Sequence, residues 1–200
     1  MSTLQADAAC KSQTVAGLVL AAGFSRRFGS DKRCVHLDTG QTLLAASLVL
    51  PCALLEEVWV VLRPEDDRSA LGVPPPLQVV RSPSAELGMG HSLASGMQAL
   101  SPITTASSIA VFLGDMPWIG TASLGALLAL ASPEHIVVPT YREQPGHPVL
   151  FGRRFWPALQ RLTGDAGAKS VIKSNQEALR YLPVDDPGIL RDVDLPQSLA

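Results

Sequence analysis

The chain has 200 residues, 46% of them hydrophobic and 17% charged, which supplies one sizeable core and leaves no length for a second independent domain. Sixteen Lys and Arg against eighteen Asp and Glu give a formal charge of −2 with no basic block or tail, so no nucleic-acid partner is expected and small-molecule chemistry is favoured. No run reaches the roughly twenty apolar residues of a membrane span, the start MSTLQADAACKS lacks the parts of a signal peptide, and Cys10, Cys34 and Cys52 lack metal-ligand spacing, so a cytoplasmic protein with reduced thiols and no membrane partner is expected.

Residues 1–13 read as a frayed terminus and 14–200 as one domain. Strand-length apolar runs follow at Val15 to Ala22, Val58 to Leu62, Leu77 to Val80, Ile109 to Leu113 and Ile136 to Val138, nearly all apolar as in strands covered on both faces. Between them, Leu43, Leu44, Ser47 and Leu48 suit one helix, and Met89, Leu93, Met97 and Leu100 form the stripe of a second. Leu124, Leu127 and Leu128 follow a cap at Thr121 on a third. Later, Gly146 to Phe151 reads as a strand, Trp156 to Leu162 as a short helix with Pro157 in its first turn, and Leu179 to Val184 as an edge strand. The alternation predicts a single-domain, three-layer α/β/α fold with a Rossmann-like, mainly parallel sheet.

In such a sheet, ligands bind beyond the carboxyl ends of the strands. The first strand runs into Leu20-Ala21-Ala22-Gly23-Phe24-Ser25-Arg26-Arg27-Phe28-Gly29-Ser30-Asp31-Lys32. Gly23 and Gly29 allow close backbone approach, and Arg27 and Lys32 supply cations for phosphate oxygens. A P-loop is excluded, since no Gly-x-x-x-x-Gly-Lys-Ser/Thr occurs, and Gly88-Met89-Gly90 lacks the third glycine of a dinucleotide fingerprint. The fourth strand ends in Gly114-Asp115-Met116-Pro117, where a strand-end carboxylate suits magnesium, or equally serves as a turn or cap aspartate.

Four motifs taken together, Leu-Ala-Ala-Gly-x-Ser-x-Arg-Phe-Gly-x-x-Lys at 20–32, Gly-Asp-Met-Pro at 114–117, Gly-His-Pro-Val at 146–149 and Gly-Asp-x-Gly-Ala-Lys at 164–169, resemble the molybdenum cofactor nucleotidyltransferases. They stand in that family's order, and the two later ones narrow the resemblance to the molybdopterin branch. The resemblance implies a nucleotide-diphospho-sugar-transferase-like fold and magnesium-dependent transfer of a nucleotidyl group from CTP or GTP to the phosphate of molybdopterin, releasing pyrophosphate. It assigns Arg27, Lys32 and Asp115 to catalysis and Leu20, Ala21, Ala22, Gly23, Ser25 and Gly29 to the nucleotide. It adds Gly88, Gly90 and Ser92 at a base-recognising turn, for which a packing turn is the alternative. His147, Asp165 and Lys169 fall to the acceptor, and Asp115 with Asp194 to the metal, Asp194 having a solvated turn as its other reading.

Lys169 stands where the family more often has arginine, which loses the forked donor geometry. Guanine-using branches tend to carry glycine where Ala22 stands, which favours CTP. A molybdenum hydroxylase-type apoenzyme is the implied downstream partner. Two alternatives stay open: transfer to another phosphorylated acceptor, such as a sugar phosphate or methylerythritol phosphate, and a non-catalytic nucleotide-binding accessory protein.

Overall fold

The computed structural model describes residues 14–25 and 28–193, so the terminus expected over 1–13 lies outside it. In chain order the elements are β1 (Val15–Leu20), α1 (Leu43–Leu54), β2 (Val58–Leu62), β3 (Gln78–Arg81), α2 (Met89–Leu100), β4 (Ser108–Leu113), α3 (Thr121–Leu128), β5 (Ile136–Tyr141), β6 (Gln144–Pro145), β7 (Val149–Gly152), α4 (Trp156–Leu159), α5 (Lys169–Lys173) and β8 (Leu179–Pro183). All strands join one sheet in the order β3-β2-β1-β4-β7-β5-β6, with β8 pairing β5. β1 pairs parallel with both β2 and β4, while β7 runs antiparallel between β4 and β5.

Because side chains alternate across a strand, each apolar strand feeds two cores. Leu18, Val61, Ile109 and Val111 face one side, where Leu93, Met97 and Leu100 of α2 and Trp156 and Leu159 of α4 close over them. Val19, Val60, Ala110 and Phe112 face the other, against Leu44 and Leu48 of α1 and Leu124 and Leu127 of α3. The expected three-layer α/β/α arrangement with a mainly parallel sheet is present.

Several boundaries differ from the sequence expectation, each for a local reason. β1 stops at Leu20 because the carbonyls beyond it are taken by arginine side chains. The third helix is capped by Gly120, whose amide donates to Asp186 Oδ2 at 2.8 Å, and Thr121 is its first residue. Met89 opens α2 but is 42% exposed, so the buried stripe starts at Leu93. α4 ends at Leu159 rather than Leu162, and the chain then turns at Gly164, φ +68°. β7 starts at Val149, three residues after the expected Gly146.

α1 is capped by Thr42, whose hydroxyl accepts from the Ala45 amide at 3.1 Å and donates to the Leu71 carbonyl at 2.8 Å. Thr42→Ala removes the cap and strands a buried carbonyl, and should cost about 1–2 kcal/mol. Urea unfolding should show this as a lower midpoint at unchanged slope.

The strand order places the carboxyl ends of β1 and β4 side by side. The chain runs from β1 through β2 to β3 on one side of β1 and then crosses to β4 on the other, and this reversal of strand order opens a crevice for ligands.

Candidate active site

A cavity of about 410 Å³ occupies that crevice, within the usual size of a small-ligand site. Leu20, Ala21, Ala22, Gly23 and Ser25 line it from the β1 loop, together with Lys32; Asp115 lines it from the end of β4; Gly88 and Ser92 come from the start of α2, and Asp165 from the turn before α5. These segments are separated by up to 145 residues in sequence and meet only because the strand ends converge. Arg27 and Asp194 lie outside the described residues.

Lys32 Nζ donates to Asp115 Oδ2 at 2.7 Å and to the Val193 carbonyl at 2.7 Å, and both side chains of the ion pair are less than one-fifth exposed. The Val193 amide in turn donates to the Asp115 carbonyl at 3.1 Å, so Val193 is pinned beside the end of β4. Ser25, at φ +50°, accepts weakly from the Lys32 amide at 3.4 Å and so ties the loop to the lysine that follows it.

The glycines at the start of α2 are explained by contact. A Cβ on Gly88 would lie 2.3 Å from Asp165 Oδ1 and 2.5 Å from the Gly164 carbonyl carbon; one on Gly90 would lie 2.6 Å from the Thr163 oxygen. Gly90 also donates its amide to the Gly164 carbonyl at 2.7 Å and does not line the cavity. Packing against the 163–165 turn therefore accounts for Gly90, while Gly88 both packs and faces the cavity. Gly29, at φ +83°, is exposed and lies off the cavity wall.

His147 and Lys169 do not line the cavity. The His147 Nδ1 has no partner among the described residues, and burial pushes the imidazole below its usual range. The charges of Asp115 and Lys169 act on the ring in opposite senses, the first favouring and the second opposing its protonation. Lys169 is exposed at the start of α5.

Several further residues line the cavity without a role assigned by the resemblance. Asp192, two residues from the expected Asp194, lines the wall, as do Phe24, Phe28, Glu86 and Met89. Arg33 lines it too and is only 3% exposed; it forms two-pronged ion pairs with Asp31 (2.6 and 2.8 Å) and with Asp66 (2.5 and 2.7 Å). Burial by itself would push the Asp31 carboxyl up and the Arg33 guanidinium down. Their mutual hydrogen bonds and charges, with Asp66 and Arg63 added, win in both cases, holding Asp31 below and Arg33 above the ordinary value. Asp66 comes from the loop after β2, so only the fold brings it to Arg33.

Magnesium is commonly held by one or two carboxylates together with substrate phosphates rather than by an all-protein cage. No group of three or more His, Cys, Asp or Glu able to hold a metal occurs among the described residues. Asp115 and Asp192 on one cavity wall fit the sparser kind of site.

Residues 17–179 match the MobA-like NTP transferase domain family. The chain belongs to that family. It is 36% identical over 200 residues to the purine catabolism protein PucB of Bacillus subtilis, covering 94% of this chain and 95% of that protein. It is 34% identical over 134 residues to a probable molybdenum cofactor guanylyltransferase of Chloroflexus aggregans, covering 66% and 61% of the two chains. The structure of a Mycobacterium tuberculosis Rv0371c homologue from Mycobacterium sp. strain JC1 superposes with a TM-score of 0.79 at 31% identity, covering 94% of this chain and 93% of that one. This MobA-like chain is thus a nucleotidyltransferase in family and in fold. No helix among its described residues is long and apolar enough to cross a membrane.

Proposed function

We propose that this MobA-like transferase moves a cytidylyl group from CTP to the terminal phosphate of molybdopterin. The observation that carries the reading is the meeting, in one cavity, of the β1 loop, the Lys32–Asp115 pair and the Asp165 turn. An acceptor phosphate oxygen attacks the α-phosphorus, the bond from the α-phosphorus to the oxygen bridging it to the β-phosphate breaks, and pyrophosphate leaves with that electron pair. The attacking group is already an anion, so the protein's task is to position and to neutralise charge. This agrees with a cavity wall that carries lysine and aspartate and no histidine.

Lys32, held by Asp115 and the Val193 carbonyl, presents its charge to the α-phosphate, and Arg27 is assigned to the terminal phosphates by its place in the motif. Asp115, with Asp192 beside it, would hold magnesium, which when bound supplies charge neutralisation to the phosphates. Asp165, which lines the cavity, is assigned to the acceptor together with His147 and Lys169 by their places in the motifs.

Ala22 is 2% exposed and lines the cavity, and it stands where guanine-using branches tend to carry glycine, so its methyl group is our proposed bar to a purine. Ala22→Gly should therefore shift the preference from CTP towards GTP, by about 10-fold, the scale of one methyl group's fit in a pocket. Competition between the two nucleotides in binding to each variant measures it, and a wild type that prefers GTP overturns the base assignment.

The reaction is tested by incubating the protein with magnesium, CTP or GTP, and molybdopterin, and measuring pyrophosphate. Release only with a sugar phosphate or methylerythritol phosphate moves the acceptor assignment. Tight nucleotide binding with no release under any of these acceptors leaves an accessory role.

A further inference from the structure

The loop after β1 presents its backbone in an unusual way. Arg33 Nη1 donates to the Ala21 carbonyl at 2.6 Å; Arg63 Nε reaches the Ala22 carbonyl at 3.5 Å, and Arg63 Nη2 donates to the Gly23 carbonyl. Three consecutive carbonyls are thus held by two guanidinium groups. In a trans peptide the carbonyl oxygen and the following amide hydrogen lie on opposite edges. Anchoring the carbonyls of 21, 22 and 23 therefore turns the amides of Ala22, Gly23 and Phe24 the other way. No hydrogen bond to any of these three amides occurs among the described residues, and all three residues line the cavity.

The guanidinium groups are themselves held. Asp31 and Asp66 grip Arg33 in two-pronged pairs, Asp31 Oδ2 reaches Arg63 Nη1 at 3.4 Å, and Asp66 Oδ2 accepts from the Arg63 amide at 2.8 Å. The Arg63 guanidinium also lies over the Phe24 ring, 4.3 Å from its centroid. Behind it, Arg81 Nη1 donates to the carbonyls of Arg63 and Asp66 at 2.8 and 2.7 Å. The charges of Arg33 and Arg63 balance those of Asp31 and Asp66, so these four residues lend the loop rigidity rather than net charge, with Arg81 bracing them from behind. An arginine suits this task because its planar fork fixes direction as well as charge.

We infer that Arg33 and Arg63, held by Asp31 and Asp66, are positioning residues that aim the Ala22–Phe24 amides into the cavity as a preformed phosphate-binding edge. This rests on the nucleoside triphosphate reading of the cavity. The residues act through the loop backbone, and the expected consequence is on nucleotide affinity: a loop that must order itself on binding binds more weakly by the cost of that ordering.

The test uses Arg63→Gln and Arg63→Lys, whose side chain is less enclosed than that of Arg33, with Asp66→Asn as a second way of loosening the cluster. Backbone order parameters of Ala22, Gly23 and Phe24 are measured by NMR in the unliganded proteins, and the Kd for magnesium–CTP by calorimetry. We expect all three variants to lose order in the loop and to bind the nucleotide at least 10-fold more weakly, with kcat at saturating nucleotide within about threefold of wild type. Arg63→Lys keeps the charge but not the fork, so a wild-type-like Arg63→Lys beside a weakened Arg63→Gln would assign the effect to charge on phosphate and overturn the brace. Unchanged loop order in every variant overturns it as well. A wild type that binds neither CTP nor GTP removes the triphosphate reading instead, and the order parameters then still report whether the arginines hold the loop.

Discussion

Asp115→Asn should lower the rate of magnesium-dependent pyrophosphate release by about 10²–10³-fold, the usual effect of removing one well-placed electrostatic group from a site that works by charge stabilisation. Asparagine keeps the shape and can still accept from Lys32 Nζ, which sits 2.7 Å from Oδ2. It loses the carboxylate charge that pairs with Lys32 and that the proposed magnesium site would need. The loss should therefore appear in kcat, and thermal stability should stay close to wild type because the buried geometry is retained. Steady-state kinetics at saturating magnesium checks this. Activity within threefold of wild type would remove Asp115 from both of its proposed roles.

The second large effect is structural. Gly88→Ala would set a Cβ 2.3 Å from Asp165 Oδ1, 2.5 Å from the Gly164 carbonyl carbon and 2.6 Å from its oxygen, at φ +119°. Overpacking costs about 1–3 kcal/mol and a side chain at such a backbone angle about 1–3 kcal/mol more. A total of about 3 kcal/mol lowers the melting temperature of a chain this size by about 6–12 °C. Gly29→Ala is the comparison: its φ is +83° but no atom of the described residues lies within 4 Å of the added carbon, so the backbone strain is the main cost. Thermal unfolding of the two variants separates the terms. Equal losses would mean that the 163–165 turn yields freely and does not need a glycine opposite it.

Much of the fold was legible in the chain itself. β2 coincides with the apolar run Val58 to Leu62, and β4 and β5 start at or within one residue of their expected positions. Runs of branched apolar residues bounded by polar turns leave few other structures available. Helix ends were less legible. Pro51 argues for an end to α1 at the preceding residue, yet the helix continues to Leu54 with Pro51 buried. Gly120 caps α3 through Asp186, a residue 66 positions away, which no local pattern could announce.

The cavity divides in the same way. Ala22, Gly23, Lys32 and Asp115 stood out because strand-end glycines, cations and carboxylates form short local patterns, and all four line the cavity. Arg33, Arg63 and Asp66 gave no such signal, because a single arginine or aspartate in a loop usually faces water. Only the pairing of β1 with β2 brings the loops after them together, so that Arg33 meets Asp66 at 2.5 Å in a buried pair.

What the sequence determined by itself is the alternation of buried strands with amphipathic helices and the chemical identity of the loop after the first strand. Both are written in neighbouring residues, whose periodicity and conformational freedom act over a few positions. The tertiary structure decided which glycines line the cavity and which pack on protein, that Gly90 packs on the 163–165 turn, and that two arginines bond the Ala21–Gly23 carbonyls. Those outcomes depend on contacts between segments far apart in the chain, whose partners are chosen by strand order and packing rather than by any local preference.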